Sequence, residues 1–317
     1  MTCRRYASAG RSGSARPTST PIWPLGTRRP ADAPRVASTA SRPFVAFLSD
    51  YGHADEFVGV CKGVIASIAP DAHVVDLVHD LPPHSVAAGG LALVRAVQYL
   101  PEGALVIAVV DPGVGTDRRL VAVECEGGTF FGPDNGLLAP AVAMLGGARR
   151  VVELTDDRWH LPAPGPTFAG RDVLAPALAH HATGVAFEDL GRVVDPAGLT
   201  PGLVGLPRLV PGGAVEAEVW WIDRFGNCQL NLGPDELEEL GGEPGGRVEV
   251  RAGDVVRAAR WVHTYADAHS SELVLVVDSY GLCSLAYDRR SAAAELGLRT
   301  GAAVTLVPPG ASVEPTG

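Results

Sequence analysis

The sequence predicts an α/β fold: an N-terminal domain with a mostly parallel sheet flanked by helices, then a smaller C-terminal antiparallel β domain. In the first part of the chain, short aliphatic runs alternate with helical patterns of about ten or more residues, the mark of βαβ units. Some of those runs end at an acid, namely Asp50, Asp80 and Asp111. One edge of the sheet would therefore gather carboxylates at the carboxyl ends of its strands, where open α/β sheets bind ligands. Beyond about residue 213 the long helical patterns stop, and short runs alternate apolar with polar residues, as strands of an antiparallel sheet do.

Residues 1–42 are rich in Arg, Ser, Thr, Pro and Ala, carry Asp32 as their one acid and lack hydrophobic periodicity. They are expected to be a disordered tail or to reflect a start assigned too far upstream; the composition mimics a transit peptide but has no apolar secretory core. The N-terminal domain is expected over residues 43–199. It opens with a strand from Phe44 to Asp50, followed by Tyr51-Gly52. A helix is expected over 57–68 and a strand over 74–78, ending at His79-Asp80 before Pro82-Pro83. A helix over 86–100 leads to the strand 106–110, which stops at Asp111 because Pro112, Gly113 and Gly115 force a tight loop. Segments 120–124 and 129–131 read as a hairpin pair, 133–136 as a turn and 172–183 as a helix led by Asp172. Residues 200–213, rich in Pro, Gly and Leu, read as a linker. The C-terminal domain is expected over 214–308, with alternating strands at 215–222, 247–251, 273–277 and 303–307, and a tail over 309–317.

Composition limits the function. The formal net charge of -10 argues against a nucleic-acid partner. No apolar run approaches the roughly 20 residues of a membrane span. The five cysteines (Cys3, Cys61, Cys125, Cys228, Cys283) form no C-x-x-C pair, so neither a disulfide framework nor a zinc knuckle is signalled, and a cytoplasmic setting is expected. The chain has no G-x-G-x-x-G after a strand, no phosphate-binding G-x-x-x-x-G-K-[ST], no H-E-x-x-H and no G-x-S-x-G. His180-His181 lie on an expected helix, where adjacent residues point apart, so no metal site is expected. For Asp111 and Arg118 two readings stand at this point: a turn cap beside a solvated charge, or part of a site.

The segments Ser49-Asp-Tyr-Gly52, Val109-Val-Asp-Pro-Gly-Val-Gly-Thr116, Gly132-Pro-Asp-Asn-Gly-Leu-Leu138, Thr167-Phe-Ala-Gly-Arg-Asp172 and Ile222-Asp-Arg-Phe-Gly-Asn227 occur in this order. Together they resemble the S-adenosyl-L-methionine (SAM) hydroxide adenosyltransferases, the adenosine-forming SAM hydrolases, which are related to the SAM-dependent fluorinase and chlorinase. The resemblance runs from about residue 44 to 308. It implies attack of water or hydroxide at the ribose 5′ carbon, releasing adenosine and L-methionine. No cofactor or metal is implied, because the sulfonium leaving group is already activated. It also implies a homotrimer in which SAM lies between the N-terminal domain of one subunit and the C-terminal domain of the next.

Residue by residue, the resemblance implies that Asp50 holds the ribose hydroxyls and Asp55 the methionine amine. It implies that Phe225 lies beside the adenine, that Asn227 reads its edge and that Asp223 heads the same loop. Ser279 falls near the methionine carboxylate; the halogenases follow that serine with Arg, and this chain has Tyr280. Asn227 and Asp223 also admit the plainer reading of residues that hold their own turn. Asp111 and Arg118 match two members of an Asp-Arg-His set that handles water. The halogenases have tyrosine at the position of Asp111, and an anionic carboxylate repels a halide while accepting a hydrogen bond from water. The third member departs: where hydrolases read Thr-Phe-His-Gly-Arg-Asp, this chain has Ala169. The alternatives are a SAM- or adenosine-binding protein with weak or no catalysis, or, less favoured, a halogenase. His79, His84 and His160 are the imidazoles considered as substitutes.

Overall fold

The computed structural model describes residues 42–202, 205–210, 212–239, 243–307 and 309. The two expected tails lie outside these residues, apart from Arg42 and Pro309. The N-terminal sheet has seven strands: β1 (Phe44–Ser49), β2 (His73–Val78), β3 (Ala104–Val109), β4 (Leu120–Cys125), β5 (Gly128–Pro133), β6 (Arg150–Glu153) and β7 (Arg192–Val194). Their order is β2-β1-β3-β5-β4-β6-β7. The first four in this order are parallel, while β4 and β7 run against their neighbours. β4 and β5 form the expected antiparallel pair.

Helices α1 (Phe57–Ile68), α2 (Val86–Val97), α3 (Ala139–Met144) and α4 (Ala175–Ala182) cover the sheet. Side chains alternate along β1 and β3 as the pleat dictates. Val45, Phe47, Leu105, Ile107 and Val109 pack in one core cluster with α1 and α4. Ala46, Leu48, Val106, Ala108 and Val110 pack in the other with α2 and α3. Strands buried on both faces explain the near-continuous aliphatic runs, and each fully buried large side chain stabilises the fold by about 1.5–3 kcal/mol. α1 buries Val58, Cys61 and Ile65 at helical spacing. Ser85 caps α2 by accepting from the Ala88 N–H at 3.3 Å.

The helix expected over 172–183 begins differently: residues Gly170–Leu174 form a wide π turn, and the α-helix starts at Ala175, with Pro176 in its first turn. The helix expected to reach residue 100 ends at Val97.

The second sheet contains β8 (Arg208–Val210), β9 (Ala214–Ile222), β10 (Cys228–Leu230), β11 (Arg247–Ala252), β12 (Val255–Val262), β13 (Leu273–Val277), β14 (Cys283–Tyr287) and β15 (Ala303–Val307). Its order is β10-β14-β13-β12-β11-β15-β9-β8. The second half of β9 also pairs with β10, which closes the sheet into a barrel. Pairing is antiparallel except between β12 and β13. Alternate residues such as Val215, Val248, Val250, Leu273, Leu275, Val304 and Leu306 fill the interior. Helices α5 (Pro234–Glu239) and α6 (Ala292–Leu296) complete this part. Trp221 of β9 packs against the α2 side of the N-terminal core. No helix among the described residues is long and apolar enough to cross a membrane.

Candidate active site

Asp50 and Asp111 leave the sheet from neighbouring strands. β1 and β3 are in parallel register with Ser49 opposite Val109. The Asp50 N–H donates to the Val109 carbonyl at 3.2 Å. Asp50 Oδ2 accepts a 2.8 Å hydrogen bond from the His84 backbone N–H. His84 is held at φ 66°, a left-handed conformation that costs a non-glycine residue on the order of 1–2 kcal/mol. Asp80, expected on the same edge, is exposed, with its Oδ2 3.9 Å from His53 Nε2.

After Val110 the chain turns tightly: Val114 N donates to the Asp111 carbonyl at 3.2 Å and Thr116 N to that of Gly113 at 3.1 Å. The turn brings Arg118 back onto Asp111. Arg118 Nε lies 2.7 and 2.8 Å from the two carboxylate oxygens, and Nη2 also donates to Oδ2. The side chains are 15% and 7% exposed, so Arg118 is not a solvated charge. This is a bidentate, charge-assisted pair, which fixes geometry as well as energy.

The 167–172 segment reaches this edge through aromatic contacts. Tyr51 meets Phe57 and Phe168 at ring separations of 5.7 and 5.6 Å. The buried Tyr51 phenol is pushed up in pKa by desolvation, then by Cys61, Asp50 and Asp111. Gly170 is required here: a Cβ on it would lie 2.3 Å from the Tyr51 Oη. Arg171 pairs with buried Asp172, Nε to Oδ1 2.5 Å. The Leu161 N–H donates to the Asp172 carbonyl at 2.8 Å, holding the loop that carries His160 beside the turn.

Arg118, Ala169 and His160 line one cavity of about 700 Å³, together with Leu120, Asp172 and Val173. His160 Nδ1 is 3.4 Å from Asp157 Oδ1, and its buried Nε2 has no hydrogen-bond partner. Burial outweighs Asp157 and lowers its pKa, which favours the neutral imidazole. Of the other imidazoles considered, His79 is buried, with Nδ1 2.7 Å from Ser49 Oγ. His84 contributes its backbone to Asp50. Asp55 is exposed on the bend before α1.

The Gly132–Leu138 motif serves the scaffold. Asp134 accepts from Arg119 Nε at 2.9 Å and from Thr200 N at 2.8 Å. Asn135 donates to the Val110 carbonyl at 2.8 Å, bracing the strand end that carries Asp111.

The remaining expected residues lie on the barrel. Asp223 Oδ1 accepts from the N–H groups of Phe225 and Asn227 at 2.8 and 2.9 Å, and Oδ2 accepts from Asn227 Nδ2 at 2.8 Å. Gly226, at φ 83°, completes the loop; a Cβ there would lie 2.1 Å from Ser291 Oγ. Asp223 therefore builds its own turn, and the amide donor of Asn227 is engaged with it. Asp223, Asn227 and Ser279 nevertheless line a cavity of about 560 Å³ with Arg95, Trp221 and Tyr280. Phe225 projects outward, 75% exposed. Thus Arg118 of the sheet edge and the barrel residues Asp223, Asn227 and Ser279 line different cavities of the chain. Sequence reasoning passed over Tyr51 and Arg95. The signal for Arg95 was present: it is the one charged residue of the otherwise apolar helix α2. Among the described residues no group of three or more His, Cys, Asp or Glu is placed to hold a metal.

Comparison with known proteins gives the same two parts. Residues 45–191 match the SAM hydroxide adenosyltransferase N-terminal domain, and residues 217–305 match its C-terminal domain. An (R)-S-adenosyl-L-methionine hydrolase of Salinispora tropica is 42% identical over 262 residues, covering 83% of this chain and 97% of that protein. Another of Thermus thermophilus is 43% identical over 270 residues, covering 83% and 99%. A fluorinase of Actinopolyspora mzabensis is 30% identical over 295 residues, covering 85% and 98%. An uncharacterized conserved protein from Thermotoga maritima superimposes with a TM-score of 0.76 at 29% identity, covering 83% of this chain and 99% of that structure. With both domains matched in order and relatives above 40% identity over nearly their full length, the chain belongs to the SAM hydroxide adenosyltransferase family.

Proposed function

We propose that this protein hydrolyses SAM to adenosine and L-methionine. The observation that carries the reading is the Arg118–Asp111 pair at the carboxyl edge beside Asp50, in a chain 42% identical to a SAM hydrolase. Water attacks the ribose 5′ carbon opposite the sulfonium. The C5′–S bond breaks, its electron pair stays on sulfur as methionine leaves, and the proton lost by the water passes by way of Asp111 to solvent. Asp111 keeps lone pairs beyond those facing Arg118 and accepts from the attacking water. Arg118 favours the hydroxide form electrostatically. Asp50 receives the ribose diol. Because the leaving group is already cationic, the reaction requires in-line positioning and desolvation rather than a cofactor or metal.

The triad position that holds histidine in similar hydrolases is Ala169, and the imidazole sharing its cavity is His160. That Arg118 and the barrel residues Asp223, Asn227 and Ser279 line different cavities of one chain supports a site assembled between subunits of a homotrimer. In that arrangement Asp223, Phe225, Asn227 and Ser279 of one copy face Asp50, Asp55 and Asp111 of the next. The proposed setting is the cytoplasm, the expectation set by the scattered cysteines.

Incubation of the protein with SAM, with and without chloride, followed by chromatography tests the reading. Adenosine and methionine in both supports hydrolysis. Appearance of 5′-chloroadenosine overturns it in favour of a halogenase. Unchanged SAM with measurable binding overturns it in favour of a binding protein, the outcome that Ala169 would explain.

A further inference from the structure

Arg95 is buried on α2 with 7% of its surface exposed. Its guanidinium carbon lies 5.3 Å from the Trp221 ring centroid and 4.6 Å from that of Tyr280. Nε and Nη2 are buried and have no hydrogen-bond partner. These two nitrogens form the side-on edge of the guanidinium fork that matches a carboxylate. The same edge of Arg118 and of Arg119 is filled by Asp111 and Asp134 respectively. A buried cation whose donors are unmet is costly unless something supplies the missing charge and acceptors. Burial lowers the Arg95 pKa to about 10, against the opposing influence of Tyr280 and Asp278.

Arg95 also lines the barrel-side cavity with Ser279, Asn227 and Asp278. Asp278 does not fill the Arg95 edge: its Oδ1 accepts from the N–H groups of Tyr280 and Leu282, and its Oδ2 accepts from Gln229. The cavity thus offers an unfilled carboxylate-shaped cation near a carboxylate, the complement of an α-amino-acid head group, which bears one charge of each sign.

We infer that Arg95 binds the carboxylate of the methionine end of SAM by its Nε–Nη2 edge. The inference rests on SAM being the substrate. Tyr280, 38% exposed and stacked on the guanidinium, is the side chain that turns aside to admit the carboxylate. Arg95 is a specificity residue, remote from the bond that breaks.

The test compares SAM with decarboxylated SAM, which retains the sulfonium and the amine, as substrates of the wild-type protein, Arg95→Met and Arg95→Lys. Arg95→Met is expected to raise KM for SAM by about 10–100-fold, the usual effect of losing a charged hydrogen-bond partner. It should leave KM for the decarboxylated substrate and the affinity for adenosine unchanged, with partial rescue in Arg95→Lys. Removing the unmet charge should also leave the unliganded protein at least as heat-stable as before, which separates this effect from misfolding. Equal losses for both substrates, or no loss for SAM, overturn the assignment. If the wild-type protein forms no adenosine, the hydrolase reading fails and calorimetry with L-methionine decides Arg95 instead. Binding lost in Arg95→Met supports the assignment; equal binding, or none, overturns it.

Discussion

Arg118 and Arg95 are both largely buried arginines beside a candidate binding surface, and their charges are met differently. At the edge of the N-terminal sheet, Arg118 closes its fork on Asp111 within the chain. At the barrel, Arg95 stacks on Trp221 and Tyr280 while its fork stays unmet. The first arrangement is preorganised: its dipoles are fixed before substrate arrives, which is what stabilising a developing charge requires. The second gains its partner only from a ligand. The sheet edge should therefore govern turnover, and the barrel cavity should govern affinity and selectivity.

The largest effect expected from breaking the first region is that of Arg118→Ala. It should lower kcat roughly 10²–10⁴-fold, the range for a positioned proton-handling group, and leave Asp111 buried without its partner. Single-turnover adenosine release checks it, and an unchanged rate would move water handling elsewhere. Ala169→His should act in the opposite direction, raising kcat by roughly 10²-fold or more with little change in SAM affinity. The gain should disappear when Arg118→Ala is added, because coupled groups act as a unit. If His160 already supplies the imidazole, His160→Ala lowers kcat and Ala169→His restores it.

Asp50→Ala marks where the contrast ends, since it lies on the sheet edge but should act on binding. A loss on the order of 1.5–3 kcal/mol in SAM affinity is expected, measured by calorimetry. Gly170→Ala should destabilise the protein by about 1–3 kcal/mol, because its Cβ would lie 2.3 Å from Tyr51 Oη; a thermal melt reads the shift.

The smallest effect concerns pH. Burial lowers the pKa of His79 in the folded state, despite the opposing influence of Asp76. The unfolded chain therefore takes up that proton first, and stability should fall as pH drops below about 6.5 toward the folded value. His79→Gln should flatten that part of the stability–pH curve in chemical denaturation.

The sequence by itself determined the alternation of strands and helices in the first part, the change of period near residue 213, and the acids at the ends of β1 and β3. These are local signals: a strand buried on both faces must be continuously apolar, and a Pro-Gly loop must end it. The ordered motifs also carried the family and singled out Asp50, Asp111 and Arg118, which the fold brings to one edge of the sheet. The π turn at Gly170–Leu174 was not legible, because its period differs from an α-helix by a single residue and the clash at Gly170 comes from Tyr51, far along the chain. The β10 and β12 strands escaped for a different reason: β10 spans three residues, too few to show a period, and β12 carries exposed Val256, Arg257 and Ala258 together. Only the tertiary structure decided that Arg118 is paired and Arg95 is not, and that His160 shares a cavity with Ala169. A charge's worth depends on what surrounds it after folding, and the groups that would satisfy it come from elements that sequence spacing cannot bring together.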